Sequence, residues 1–96
     1  MTLAVSVAGA TGWTGRLVAE AVLQADDLDL RSAVSRSAAG QDLGEAWGGA
    51  PNGVPVLDSV GSALDGVDVL VDYTSHDAVR GNTLAAIDRG VAVVIG

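Results

Sequence analysis

The residues best suited to chemistry come early in the chain. Val7-Ala8-Gly9-Ala10-Thr11-Gly12-Trp13-Thr14-Gly15-Arg16 sets three glycines at three-residue intervals between an apolar run and a helical pattern. Gly9 lets the chain leave a strand in a conformation closed to residues with a Cβ. Gly12 lets a ligand phosphate approach the backbone, and Gly15 lets the following helix pack closely on the strand. Open N–H groups and the positive end of the helix dipole then favour a pyrophosphate. The pattern alone is weak. Its setting, with a strand before and a helix after in a βαβ unit, is what makes it a nucleotide-binding turn rather than a turn that merely packs tightly.

Cofactor choice in such a unit is read at the end of the second strand, roughly twenty residues on. An acid there would accept hydrogen bonds from an adenine ribose 2′-hydroxyl. This chain has Ser35-Arg36 instead. A hydroxyl beside a guanidinium fork suits a 2′-phosphate, which predicts NADPH in preference to NADH. The competing reading is an exposed loop arginine with no ligand. Tyr73 and Thr74 fall at the end of the fourth strand, on the same edge as the glycine turn. Their backbone groups could line a nicotinamide pocket; equally, the Tyr73 ring could pack on a helix below.

The remaining polar and aromatic residues give less. Asp72 reads as a turn or cap partner, not as a catalytic acid. His76, the single histidine, has no visible partner and reads as an exposed loop residue. Of the two tryptophans, Trp13 beside the phosphate turn is the better pocket wall, and Trp47 reads as a small apolar anchor in a glycine-rich loop. Asp26, Asp27 and Asp29 form a solvated turn, and no metal constellation is present. No catalytic residue is assigned within this span.

The elements that must position these residues alternate. Leu3 to Ala8 is an apolar strand, and Trp13 to Gln24 an amphipathic helix with Leu17, Val18, Ala21 and Val22 on its apolar side. Leu28 to Val34 is a second strand. Ser35 to Gly53 is a glycine-rich loop holding at most one helical turn. Val54 to Leu57 is a third strand, placed at an edge by Pro55. Val60 to Leu64 is a brief helix capped by Asp58 or Ser59, and Val67 to Tyr73 a fourth strand. A helix capped by Ser75 or Asp77 runs to about Arg89 with Val79, Leu84 and Ile87 inward, and Val91 to Ile95 is a buried fifth strand. Such alternation predicts a parallel sheet with right-handed crossovers, covered on both faces.

Composition bounds the function. At 96 residues, 49% apolar and 18% charged, the chain can pack one small core and has too little charge to be disordered. Twelve acids against five arginines give a net charge of −7, which argues against nucleic-acid and anionic-membrane binding. With no cysteine, a disulfide scaffold, a thiolate site and a cysteine nucleophile within these residues are excluded, and a cytoplasmic setting fits. No apolar run approaches the ~20 residues that span a bilayer, and Met1-Thr2-Leu3 carries no basic n-region, so a secretory leader is not expected. The chain stops at Gly96 directly after an apolar strand, so it reads as the front part of a longer protein.

Taken together, these stretches resemble the N-terminal domain of the dihydrodipicolinate reductase family. The likeness runs through the glycine turn, Gly40-Gln41-Asp42-Leu43-Gly44-Glu45 and Asp68-Val69-Leu70-Val71-Asp72-Tyr73-Thr74. It continues through Asn82, Ala86, Gly90 and the closing Val94-Ile95-Gly96, which is similar to the start of the family's Gly-Thr-Thr-Gly turn. The resemblance implies a Rossmann-like doubly wound α/β sheet of about five strands, residues 1–96 forming the cofactor domain of a two-domain enzyme. It implies hydride transfer from NADPH or NADH to a cyclic dicarboxylate in diaminopimelate and lysine synthesis, by a homotetramer. Carried over by position, Gly9, Ala10, Thr11, Gly12, Trp13 and Thr14 would cradle the pyrophosphate. Ser35 and Arg36 would meet the adenosine ribose, and Tyr73, Thr74 and Gly96 would approach the nicotinamide through backbone groups.

The chain departs from the family at Ser35, where an acid is common, and at His76, where proline is usual. The family's His-His and lysine motif and its dicarboxylate-binding residues lie beyond residue 96, and this chain has no lysine. These residues are therefore expected to bind cofactor without catalysing. Two alternatives stand: the cofactor domain of a semialdehyde dehydrogenase or acylphosphate reductase, and a nucleotide-sensing module without chemistry.

Overall fold

The computed structural model describes residues 2–96; Met1, part of the N-terminal stretch read above for a leader, lies outside them. In chain order the elements are β1 (Leu3–Ala8), α1 (Trp13–Gln24), β2 (Leu28–Val34), α2 (Leu43–Ala46), β3 (Val56–Leu57), α3 (Val60–Ala63), β4 (Val69–Asp72), α4 (His76–Asp88) and β5 (Ala92–Ile95). The strands form one parallel sheet in the order β3-β2-β1-β4-β5. β1 lies at its centre, so Leu3–Ala8 needs apolar side chains on both faces, and from Ala4 onward every residue is buried.

Successive side chains of a strand point to opposite faces, and each face here has its own core. Val5, Val7, Leu30 and Ala33 meet Ala19 and Val22 of α1, together with Leu43 and Val56, on one side. Ala8, Val34 and Leu70 meet Val60, Ala63 and Ala86 of α3 and α4 on the other. One irregularity interrupts the central ladder. The β1–β2 register steps between Val5 and Ser6, so Arg31 has no partner across the pair. Ser6 and Ser32, both buried, share a hydrogen bond of 2.8 Å, and the Ser32 hydroxyl donates to the Ala63 carbonyl at 2.9 Å, so neither polar group is orphaned.

The structure corrects several inward faces. α1 buries Gly15, Ala19 and Val22, while Leu17 is 57% exposed and Ala21 faces outward. α4 buries Ala86, with Val79 half-buried, whereas Leu84 and Ile87 are 57% and 63% exposed. The cause is common to both helices: small residues let the helix axis lie close to the sheet, which turns the longer apolar side chains away. β5 is an edge strand with Val94 and Ile95 both 54% exposed, not a buried one. β3 takes the opposite edge as expected, but it is only Val56–Leu57; Pro55 forms an isolated bridge to Asp42. β4 likewise omits Val67 and Tyr73. The loop between Ser35 and Gly53 does hold a single helical turn, α2. Among the described residues, no helix is long and apolar enough to cross a membrane.

Asp42 organises that loop. Its carboxylate accepts from the amides of Glu45 and Asn52 at 3.1 Å and of Gly53 at 2.7 Å. Desolvation works to raise its pKa, but the amides of Glu45, Asn52, Gly53 and Gly44 outweigh it and hold the value below the ordinary 3.8. The unfolded chain therefore binds this proton more readily than the folded one, and the group stabilises the fold above pH 3.8. That contribution is lost as pH falls through the lowered folded value. Asp42→Asn should accordingly lower the urea midpoint at neutral pH and narrow the acid-induced drop seen in wild type, as read by urea titrations across that window.

Candidate functional site

Strand order reverses at the centre of the sheet, since β2 and β3 extend to one side of β1 and β4 and β5 to the other. At such a switch point the connections leave in opposite directions, and a crevice opens beyond the carboxyl ends of the two strands. A cleft of about 590 Å³ lies there, lined by Gly9 after β1, Ser35 and Arg36 after β2, Asp58 and Ser59 before α3, and Thr74 and Asn82 from the β4–α4 unit.

The glycine turn forms one wall. Gly9 has φ +80°, and a Cβ on it would lie 2.7 Å from the Tyr73 carbonyl oxygen, so both conformation and space require glycine. Gly12 donates to the Gly9 carbonyl at 3.0 Å and receives the Arg16 amide at 2.9 Å, which starts α1. A Cβ on Gly15 would run into the Gly9 carbonyl. That contact is how α1 comes to lie so close to β1. Gly12 is the N-cap of α1 and no side chain caps it, so the first-turn amides face outward without a side-chain acceptor.

At the end of β2 the hydroxyls line up. Thr11 Oγ1 and Ser35 Oγ are 2.9 Å apart, and Ser35 Oγ and Ser37 Oγ 3.2 Å apart, so the glycine turn is tied to the Ser35–Ser37 segment beside Arg36. At the end of β4, the Tyr73 amide donates to the Ala8 carbonyl at 3.0 Å. The Tyr73 ring lies against Gly96, where a Cβ would overlap it.

The expected site residues thus divide. Gly9, Ser35, Arg36 and Thr74 line the cleft, while Thr11, Gly12 and Trp13 line a neighbouring groove of about 390 Å³ with Arg16, Leu17 and Glu20. Trp13 is 88% exposed there and walls no part of the larger cleft. Thr14 is exposed on the first turn of α1, and the Ala10 side chain is buried. Tyr73 and Gly96 meet each other beyond the cleft lining. His76 opens α4, exposed and outside the lining. Asp72 is a turn partner as read: it accepts the Thr74 amide at 2.9 Å.

Sequence reasoning missed the part played by Trp47. Its indole Nε1 donates to the Ala10 carbonyl at 3.0 Å, its ring packs on the core, and the Arg16 guanidinium lies 5.2 Å from the ring centroid. The anchor of the glycine turn is therefore 37 residues from it in sequence, a separation no local pattern discloses. Asp58 and Asp77 were also missed as cleft residues. Trp47→Phe keeps an aromatic ring but removes the donor and part of the indole that packs on the core, so it should cost at least about 1 kcal/mol in urea unfolding, the net worth of one hydrogen bond. Unchanged stability would show that the indole N–H does not hold the turn.

A glycine turn between the central strand and its helix, at the switch point of a doubly wound parallel sheet, defines a dinucleotide-binding domain of the Rossmann type. The family model described as "Dihydrodipicolinate reductase, N-terminus" matches residues 3–96, and the chain belongs to that family. It is 46% identical over 99 residues to the 4-hydroxy-tetrahydrodipicolinate reductase of Thiobacillus denitrificans, covering 100% of this chain and 37% of the relative. Against the enzyme of the same name from Anaeromyxobacter sp. (strain Fw109-5), identity is 44% over 93 residues, covering 96% and 35%. The chain thus spans little more than a third of the length of these relatives.

Among solved structures, the dipicolinate-bound dihydrodipicolinate reductase from Paenisporosarcina sp. TG-14 superposes with a TM-score of 0.82 at 24% identity, over 100% of this chain and 37% of that one. Aspartate semialdehyde dehydrogenase with NADP from Candida albicans gives 0.83 at 17%, over 100% and 30%. At those identities the likeness is one of fold alone. The semialdehyde-dehydrogenase alternative keeps the fold, and the family match separates the two.

Proposed function

We propose that this chain is the cofactor-binding part of a 4-hydroxy-tetrahydrodipicolinate reductase, binding NADPH in preference to NADH. The observation that carries the reading is the adjacency of two features: an uncapped helix start at Gly12, which lines the neighbouring groove, and Arg36 in the cleft, where an acid would select a 2′-hydroxyl, the two tied together by the Thr11–Ser35 hydroxyl contact. A bound nicotinamide dinucleotide would supply the hydride.

The chain's own residues bind and orient. Within the Gly9–Thr14 turn the amides of Gly9 and Gly12 are spent on the Val34 and Gly9 carbonyls, so those of Ala10, Thr11, Trp13 and Thr14 are the ones offered to the pyrophosphate, with the helix dipole aligned toward it. Arg36 and the Ser35 hydroxyl meet the adenosine ribose and its 2′-phosphate. Tyr73, Thr74 and Gly96 present backbone groups toward the nicotinamide. The cyclic dicarboxylate and the residues that protonate it belong to the rest of a longer, homotetrameric protein, in keeping with the share of its relatives that this chain spans.

The test is an absorbance assay of nicotinamide oxidation, run on the complete polypeptide and on these 96 residues with the cyclic dicarboxylate. Turnover by the complete polypeptide, with binding but no turnover by the 96 residues, is the expected result. Oxidation by neither, in the presence of substrate, would refute the reductase assignment.

A further inference from the structure

The most deeply buried ionisable side chain touches the cleft only through its neighbours. Asp72, the last residue of β4, is fully buried. Its Oδ1 accepts from the Thr74 amide at 2.9 Å and from the Thr74 hydroxyl. Its Oδ2 accepts from Asn82 Nδ2 at 3.1 Å, and that same amide nitrogen lies 3.3 Å from Thr74 Oγ1. Burying a carboxylate is costly unless its lone pairs are filled. Here every donor comes from Thr74 or from Asn82, two turns into α4.

What these bonds hold is one peptide group. The first turn of α4 is not their target, because the N-cap is Ser75 and the Thr74 amide precedes the helix. The described residues contain no cis peptide, and a trans peptide points its C=O opposite its N–H. With the Thr74 N–H drawn back onto Asp72, the Tyr73 carbonyl must point away from that carboxylate. It sits against Gly9, at the place where β1 and β4 part. Among the described residues, no backbone amide or side chain donates to that oxygen. An acceptor held in a fixed direction at the switch point, without a partner of its own, is suited to a ligand donor.

We infer that Asp72 and Asn82 are positioning residues that set the Tyr73–Thr74 peptide for the nicotinamide-ribose half of the dinucleotide. This rests on the cofactor reading proposed above and adds to it a pair that need not touch the ligand's adenosine half. A purely structural pair would support both halves of the cleft alike. A positioning pair acts on one half only.

The experiment titrates the chain with NADPH, following nicotinamide fluorescence, and separately with 2′,5′-ADP, which has the adenosine half alone. Asn82→Ala should weaken NADPH roughly tenfold, the scale of a hydrogen bond to a charged group. The fluorescence change at saturation should be lost, while 2′,5′-ADP stays within about twofold, as it makes no use of the held peptide. Asp72→Asn should act in the same direction. The double variant Asp72→Asn/Asn82→Asp exchanges donor and acceptor and should recover most of the NADPH affinity. Equal weakening of both ligands by Asn82→Ala, or unchanged NADPH binding, would overturn the positioning role. If wild type binds neither probe, the cofactor reading itself fails, and this inference fails with it.

Discussion

Gly12→Val should leave the chain folded and abolish dinucleotide binding, whereas Gly15→Ala should disrupt the fold itself. The two glycines sit in one turn and differ in what a side chain would meet. At Gly12, φ is −75°, open to any residue, and a Cβ would meet only the Gly9 carbonyl oxygen at 3.3 Å. Glycine and valine at an N-cap without a side-chain bond differ by roughly 1 kcal/mol, small beside the ~5–15 kcal/mol that holds a domain together. The branched side chain would nonetheless project over the helix start that the phosphates require.

At Gly15 the obstacle is the Gly9 carbonyl, which is backbone and cannot rotate aside. α1 would have to lift off β1 and open the core at Ala19 and Val22. Overpacking of a core typically costs ~1–3 kcal/mol, and a clash with backbone belongs at or beyond the top of that range. Urea unfolding separates the two variants on stability, and NADPH titration separates them on binding. Wild-type stability in Gly15→Ala, or wild-type affinity in Gly12→Val, would contradict the division of labour within the turn.

The second large effect is expected at Arg36. Arg36→Ala should weaken NADPH by about 10- to 150-fold, equivalent to ~1.5–3 kcal/mol for a charge-assisted contact, while leaving NADH within about twofold. Arg36 is the one arginine among the residues that line the cleft: Arg16 pairs with Glu20, Arg31 with Asp29 and Arg89 with Asp65, and Arg80 on α4 stands outside the lining. Asp58 and Asp77 line the same space, so a phosphate bound there depends on Arg36 to offset nearby carboxylates. Arg36→Lys should recover only part of the loss, because an ammonium keeps the charge but not the fork. Parallel titrations with the two dinucleotides read this directly. An unchanged ratio of affinities in Arg36→Ala would remove the basis for cofactor preference.

Much of this architecture was legible in local pattern. β1, α1 and β2 fall where the apolar runs and the glycine turn place them, and Pro55 marks the edge. Gly9 and Gly15 do what their spacing implies, one through its positive φ and the other through its contact with the Gly9 carbonyl. What failed was the assumption that the largest apolar side chains face inward. Leu17, Leu84 and Ile87 follow helical spacing yet point outward, because Gly15, Ala19 and Ala86 are small enough to make the close contacts with the sheet. The links that brace the site were invisible for another reason. Trp47 to Ala10 joins residues 37 apart, and Asn82 to Asp72 depends on where α4 lies over β4. Such pairings are products of tertiary packing, and no period along the chain encodes them.

If the cleft holds a nicotinamide dinucleotide and Arg36 grips a 2′-phosphate, the two reduced dinucleotides must differ in affinity. Calorimetric titration of the wild-type chain with NADPH and NADH, at one salt concentration, tests this most directly. Saturable one-to-one binding of both is expected, with NADPH tighter by at least about tenfold, the scale of a single charged contact. No heat of binding with either dinucleotide, or tighter binding of NADH, would contradict this reading of the cleft.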